Sequence, residues 1–116
     1  MTRTISREDL LAKIENKQPL MLIEALPERY YLEGHLPGAV HLPHDRVREL
    51  GPALLADKNA AIVTYCASAT CQNSHIAADT LRAMGYTNVS VYAEGKQGWA
   101  EAGLTLETGL PGARAA

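Results

Sequence analysis

Cysteine is scarce in this chain, with two residues among 116, Cys66 and Cys71. A pair so close together cannot build the multi-bridge framework of a small secreted scaffold, so the thiols read as chemical rather than structural and the compartment as reducing. An excess of one charge is missing too: 11 Lys and Arg stand against 13 Asp and Glu, for a net charge of -2. That balance leaves no basic footprint for DNA, RNA or anionic lipid. Long apolar runs are absent, since nothing approaches the ~20 residues of a membrane span. The opening MTRTISREDLLAKIEN is charged and lacks the apolar stretch of a secretory leader. The expectation is a cytoplasmic protein that partners neither nucleic acid nor membrane.

What is present suits one soluble domain. The length allows one core and no second, and 47% apolar with 21% charged residues is an ordinary globular balance. Ser6-Arg7-Glu8-Asp9 has the form of a capping box, with Leu10, Leu11 and Ile14 following on one helical face, so a helix is expected over 6–16. The run 20–25 (LMLIEA) reads as a strand buried on both faces. From Pro27 to Pro43 the prolines and glycines predict turns with a brief strand at 39–42. A short helix is expected over 45–50, closed by Gly51-Pro52. The β-branched run 61–65 (AIVTY) is the clearest strand. A helix over 74–84 with Gly85 as its cap, a strand over 89–92 and a helix over 95–102 complete the chain. Residues 108–116 are expected to form a flexible tail after a domain spanning 1–107.

Alternating strands and helices predict an α/β layered fold with a parallel sheet, in which ligands sit beyond the carboxyl ends of the strands. Cys66 stands at such an end. The loop Ala67, Ser68, Ala69, Thr70, Cys71, Gln72 and Asn73 follows it, and a helix begins near Ser74. Backbone N–H groups and a helix N-terminus aimed at the sulfur would favour an anion. On that reading the thiol pKa falls from about 8.5 into the range of roughly 3.5 to 7.5, and the same N–H groups would hold a persulfide. The bland alternative is a small buried hydrophobe, the commoner role of an isolated cysteine.

Three segments in register decide between these readings. GHLPGAVHLP (Gly34 to Pro43), TYCASATCQNSHIAADTLRAMGY (Thr64 to Tyr86) and VYAEGKQGWAEAG (Val91 to Gly103) resemble, in order, the GHIPGA-type motif, the catalytic strand, loop and helix, and the final Gly-Gly-x-x-x-Trp segment of the rhodanese family. The resemblance implies a three-layer fold with a five-stranded, mainly parallel sheet between helices. It also implies a sulfurtransferase in which Cys66 accepts the transferred sulfur from a small sulfur-containing donor and passes it to a nucleophilic acceptor. No metal or organic cofactor is implied. The chain departs from the family pattern in several places. Glu24 and Leu26 stand where many members have Asp and Arg, Glu94 replaces the first Gly before Trp99, and Ala69 and Cys71 replace a Gly and an Arg of the loop, which is also slightly longer than the common form.

Other residues carry weaker signals. Cys71 is a candidate resolving thiol against Cys66. His75, in the first helical turn, is a candidate accessory group but reads better as a surface histidine. His35 is expected to tie down its own turn, with a secondary role near the cysteine loop. His41 and His44 lack the further ligands a zinc site needs. Trp99 reads as a core anchor. Phosphatases of similar strand-loop-helix design place an Arg six residues after the cysteine to grip phosphate. Gln72 occupies that position, and no Arg lies between Arg48 and Arg82, which excludes that chemistry. Two other functions remain open beside sulfur transfer: a catalytically idle module that binds a partner, and a Cys66/Cys71 dithiol redox sensor.

Overall fold

A computed structural model describes residues 3–109. The elements alternate between helix and strand: α1 (Arg7–Glu15), β1 (Met21–Glu24), α2 (Glu28–Glu33), β2 (Val40–His41), α3 (Val47–Leu54), β3 (Ile62–Tyr65), α4 (Asn73–Ala83), β4 (Val89–Tyr92) and α5 (Gly95–Glu101). The strands pair in parallel in the order β2-β1-β3-β4. The centre of the sheet is β1 and β3, whose residues are almost all buried, as strands covered on both faces must be.

Two apolar clusters cover the two faces. One joins Ile23, Leu42, Val47, Leu55, Ala77, Leu81 and Val89 beneath α3 and α4. The other joins Leu10, Leu22, Tyr31, Val63, Tyr92 and Trp99 beneath α1, α2 and α5. Trp99 is the core anchor it was expected to be, its N–H donating to the Thr105 carbonyl at 3.0 Å.

The sheet has four strands among the described residues, where five were expected. Before α1 the chain makes a single parallel bridge, Thr4 to Val91. Ser6 then caps the helix, its hydroxyl accepting the Asp9 N–H at 3.1 Å. So close a cap stops the pairing from running on past Ile5.

Two further expectations need correction. The segment after Pro27, expected to be mostly turns with a brief strand at 39–42, does contain that strand as β2, but it also contains α2, which is capped by that proline and stops at Gly34. Tyr31 anchors it, buried, with its hydroxyl donating to the Ala39 carbonyl at 2.6 Å. The helix expected over 45–50 instead runs through Gly51 and Pro52. An interior proline costs about 3 kcal/mol, and this one is tolerated because Val47, Gly51 and Leu55 are buried against α4, whose Leu81, with the capping Met84, lies beside Gly51. Residues 110–116 of the expected tail lie outside the described residues. Just before them, Glu107 and His35 exchange backbone hydrogen bonds of 2.8 Å each.

Candidate active site

The β-branched run of β3 delivers Cys66 to the carboxyl edge of the sheet, where the residue is buried to 1% exposure. The chain then loops outward through Ala67, Ala69, Thr70 and Gln72, all exposed, and re-enters at α4. Within the loop the Cys71 N–H donates to the Ser68 carbonyl at 3.2 Å, which turns the chain back over the sulfur. The Ser68 and Thr70 hydroxyls lie 3.1 Å apart. The first turn of α4 is tied to the sheet by the Thr64 hydroxyl, which donates to the Ser74 carbonyl at 2.9 Å.

Two groups meet the sulfur. Cys66 Sγ lies 3.4 Å from the Cys71 carbonyl oxygen and 3.4 Å from the Ser74 hydroxyl. A thiol has one proton to donate, so it serves one acceptor at a time. Burial pushes the Cys66 thiol above its ordinary range, and the Cys71 side chain pushes it further. The Ser74 hydroxyl and backbone N–H act the other way. The sequence expectation of a lowered pKa is therefore corrected. The helix N-terminus does reach the sulfur through Ser74, but it is outweighed by desolvation and by the neighbouring Cys71 side chain. Ser74, which the sequence marked only as a helix start, thus meets the sulfur directly.

The opposite side of the cysteine is gripped by α5. Lys96 N–H donates to the Cys66 carbonyl at 2.9 Å and Gln97 N–H to the Ala67 carbonyl at 2.8 Å. Gly95 permits this approach, with φ +67° and no room for a side chain: a Cβ there would stand 2.5 Å from the Cys66 carbonyl oxygen.

Behind the loop lies a buried polar network. Tyr65 donates from its hydroxyl to Glu24 Oε1 at 2.8 Å and accepts the Leu36 N–H at 3.0 Å. Lys96 Nζ reaches Glu24 Oε2 at 3.2 Å and the carbonyls of Tyr30 and Gly34 at 2.8 and 2.7 Å. Burial lifts the Glu24 carboxyl above the usual range, against the pull of Lys96 and then Tyr65. The cation that Leu26 cannot supply thus arrives from Lys96, far along the chain.

The histidines lie outside this cluster. His35 is buried in its own turn, its Nδ1 2.8 Å from the Tyr31 carbonyl and its ring stacked on Tyr31 at 3.8 Å. His75 is half-buried in the first turn of α4, and among the described residues no hydrogen bond ties its ring to the sulfur. His41 Nε2 meets the Leu26 carbonyl at 2.7 Å. Beside the loop, a shallow depression of about 230 Å³ is lined by Ala69, Glu94, Gln97, Gly98 and Glu101.

With this geometry in place, the comparison with known families is direct: the Rhodanese-like domain family matches residues 6–102. The chain belongs to that family. This rhodanese-like domain is 31% identical over 107 residues to the HTH-type transcriptional regulator Rv0324 of Mycobacterium tuberculosis, covering 92% of the chain but 46% of that protein. The chain thus spans less than half of that relative. Among solved structures it resembles the thiosulfate sulfurtransferase of Pseudomonas aeruginosa, with a TM-score of 0.83 at 23% identity over 94% of this chain and 21% of that one. It also resembles a rhodanese with anions from E. coli, with a TM-score of 0.66 at 28% identity over 78% of this chain and 99% of that one. Among the described residues no helix is long and apolar enough to cross a membrane.

Proposed function

We propose that this rhodanese-like domain is a sulfurtransferase. The Cys66 thiolate attacks a sulfane-sulfur donor, carries the sulfur as a persulfide and yields it to a nucleophilic acceptor in a reducing, cytoplasmic setting. The observation that carries the reading is the placement of Cys66. Its carbonyl is held by Lys96 N–H, while its sulfur stands at the first turn of α4 with the Ser74 hydroxyl 3.4 Å away. Once the thiol ionises, the Ser74 O–H reverses its role and donates to the anion, as does the Ser74 N–H. The names of two structural neighbours, a thiosulfate sulfurtransferase and a rhodanese, support the same chemistry.

The test is the Cys66→Ser variant. Intact mass after incubation with thiosulfate, polysulfide or a low-molecular-weight persulfide should rise by about 32 Da in the wild type, one persulfide sulfur, and stay unchanged in the variant. Cyanide-dependent turnover should vanish with the circular dichroism spectrum retained. Equal turnover in the variant would remove Cys66 from the mechanism.

A second reading is favoured by the similarity to a transcriptional regulator, of which the matched segment is only a part. Here the domain is a module that reports sulfur or redox state to a partner, and its loop is the surface presented. Persulfide loading without turnover on any small acceptor would support this reading over the first.

A further inference from the structure

Cys71 shares the loop with Cys66, and the loop brings it back to the sulfur. The Cys71 carbonyl oxygen lies 3.4 Å from Cys66 Sγ, and covalent geometry then holds the Cys71 Cα within about 6 Å of that sulfur. Cys71 is half-buried, so its side chain is neither locked into the core nor directed wholly to solvent. Between the cysteines, α5 holds the Ala67 carbonyl, and the exposed Ala69 and Thr70 are where the loop adjusts by the small amount that a bridge between Cα atoms about 4.4 to 6.8 Å apart requires.

The surroundings of Cys66 also bear on how long it can hold sulfur. Residues 67–73 contain no Lys or Arg, and the group turned toward Cys66 is a carbonyl. A terminal persulfide sulfur is anionic, and among the described residues Ser74 is the donor at hand.

We infer that Cys71 is a resolving thiol, so that the domain, beyond the sulfur transfer proposed above on which this inference rests, reduces sulfane sulfur to sulfide. The Cys71 thiolate attacks the inner sulfur of the persulfide, Cys66 Sγ. The bond between Cys66 Sγ and Cys71 Sγ forms, and the bond to the terminal sulfur breaks. The terminal sulfur leaves with the electron pair and takes up the proton given up by Cys71, departing as hydrosulfide. The two cysteines are together oxidised by two electrons and the sulfane sulfur is reduced by two. A second turnover then needs an external thiol or dithiol reductant to reopen the disulfide. Tethered in one loop, Cys71 acts at an effective concentration on the order of millimolar or more. It therefore outruns acceptors present at micromolar levels, and sulfur passes outward when acceptor is abundant.

The experiment loads the full chain with polysulfide, removes the donor, and follows intact mass and released sulfide without acceptor. The wild type should lose its adduct of about 32 Da, release one sulfide per chain and finish about 2 Da lighter than the reduced protein. Cys71→Ser and Cys71→Ala should hold the persulfide at least about tenfold longer and deliver more of the loaded sulfur to cyanide added later. Equal persulfide lifetimes with no 2 Da loss, or migration of the intact adduct to Cys71 without sulfide release, would overturn the resolving role while leaving sulfur loading intact. Failure of wild type and variants alike to gain any adduct would overturn both the resolving role and the sulfurtransferase reading.

Discussion

At the residue scale, Cys66 is held protonated by its surroundings until something shifts the balance. Burial and Cys71 raise its pKa while Ser74 lowers it. Alkylation by iodoacetamide should therefore keep accelerating with pH beyond the point where an ordinary thiol, with a pKa of about 8.5, has levelled off. Ser74→Ala should move the midpoint higher still. A plateau below neutral pH would mean that the loop already presents N–H groups to the sulfur. Gly95 is the second decisive residue, because it leaves no room for a side chain against the backbone of the cysteine loop. Gly95→Ala adds a Cβ that would collide with the Cys66 carbonyl and the Ala67 and Ser68 backbone, besides the strain of a positive φ, on the order of 1 to 3 kcal/mol. Thermal melts should fall by more than that strain alone, and sulfur loading should fall with them. Gly103→Ala is the control: it also has a positive φ, but nothing lies within 4 Å of the added Cβ. It should lose stability and keep loading.

At the scale of elements, the network of Glu24 on β1, Tyr65 on β3 and Lys96 on α5 joins three segments under the loop. Lys96→Met leaves Glu24 buried without its cation, which should destabilise the domain by about 3 to 5 kcal/mol near neutral pH. The double variant with Glu24→Gln should recover part of that loss. The pH dependence has a definite sign. The native Glu24 carboxyl is raised above its usual value of 4.5, so the native state binds more protons than the unfolded one over that window. Its contribution is full below the usual carboxylate range and is lost as pH rises through the native value. Urea unfolding across a pH series should show the wild type gaining on Glu24→Gln as the solution is acidified from neutral. A gap that widens toward alkaline pH in favour of the wild type would show that the ion pair outweighs burial.

At the scale of the whole molecule, charge bears on which donor the proposed sulfur transfer would favour. The chain carries a net charge of -2 and has no cation in residues 67–73. The depression beside the loop bears Glu94 and Glu101, with Glu94 partly neutralised by Arg7 at 3.1 Å. A missing charge-assisted hydrogen bond corresponds to about 1.5 to 3 kcal/mol, or roughly ten- to a hundredfold in anion affinity. Dianionic thiosulfate should therefore show a KM higher by about that factor than a less charged persulfide donor. Installing Cys71→Arg should lower the KM for thiosulfate. An unchanged KM would place anion recognition elsewhere on the surface.

Much of this was already written in local patterns. The Ser6 cap, the β-branched run before Cys66, the period of α4 and the motif around Trp99 each involve residues a few positions apart, and short-range sterics and hydrogen bonding are enough to specify them. From these the sequence determined the order of the strands and of every helix but α2, the parallel pairing and the position of Cys66 at a strand end. Tertiary structure alone decided the rest. Lys96 meets Glu24 across 72 positions and Tyr65 meets Glu24 across 41, distances over which no periodicity speaks. α2 and the passage of α3 through Pro52 depend on what Tyr31 and Val47 are buried against. Among the described residues the pairing at Thr4 stays a single bridge, and the α1 cap at Ser6 stops it on the helix side. The protonation preference of Cys66 was inverted for the same reason: a helix N-terminus is legible in a sequence, but desolvation and the approach of the Cys71 side chain exist only once the whole chain has packed around the sulfur.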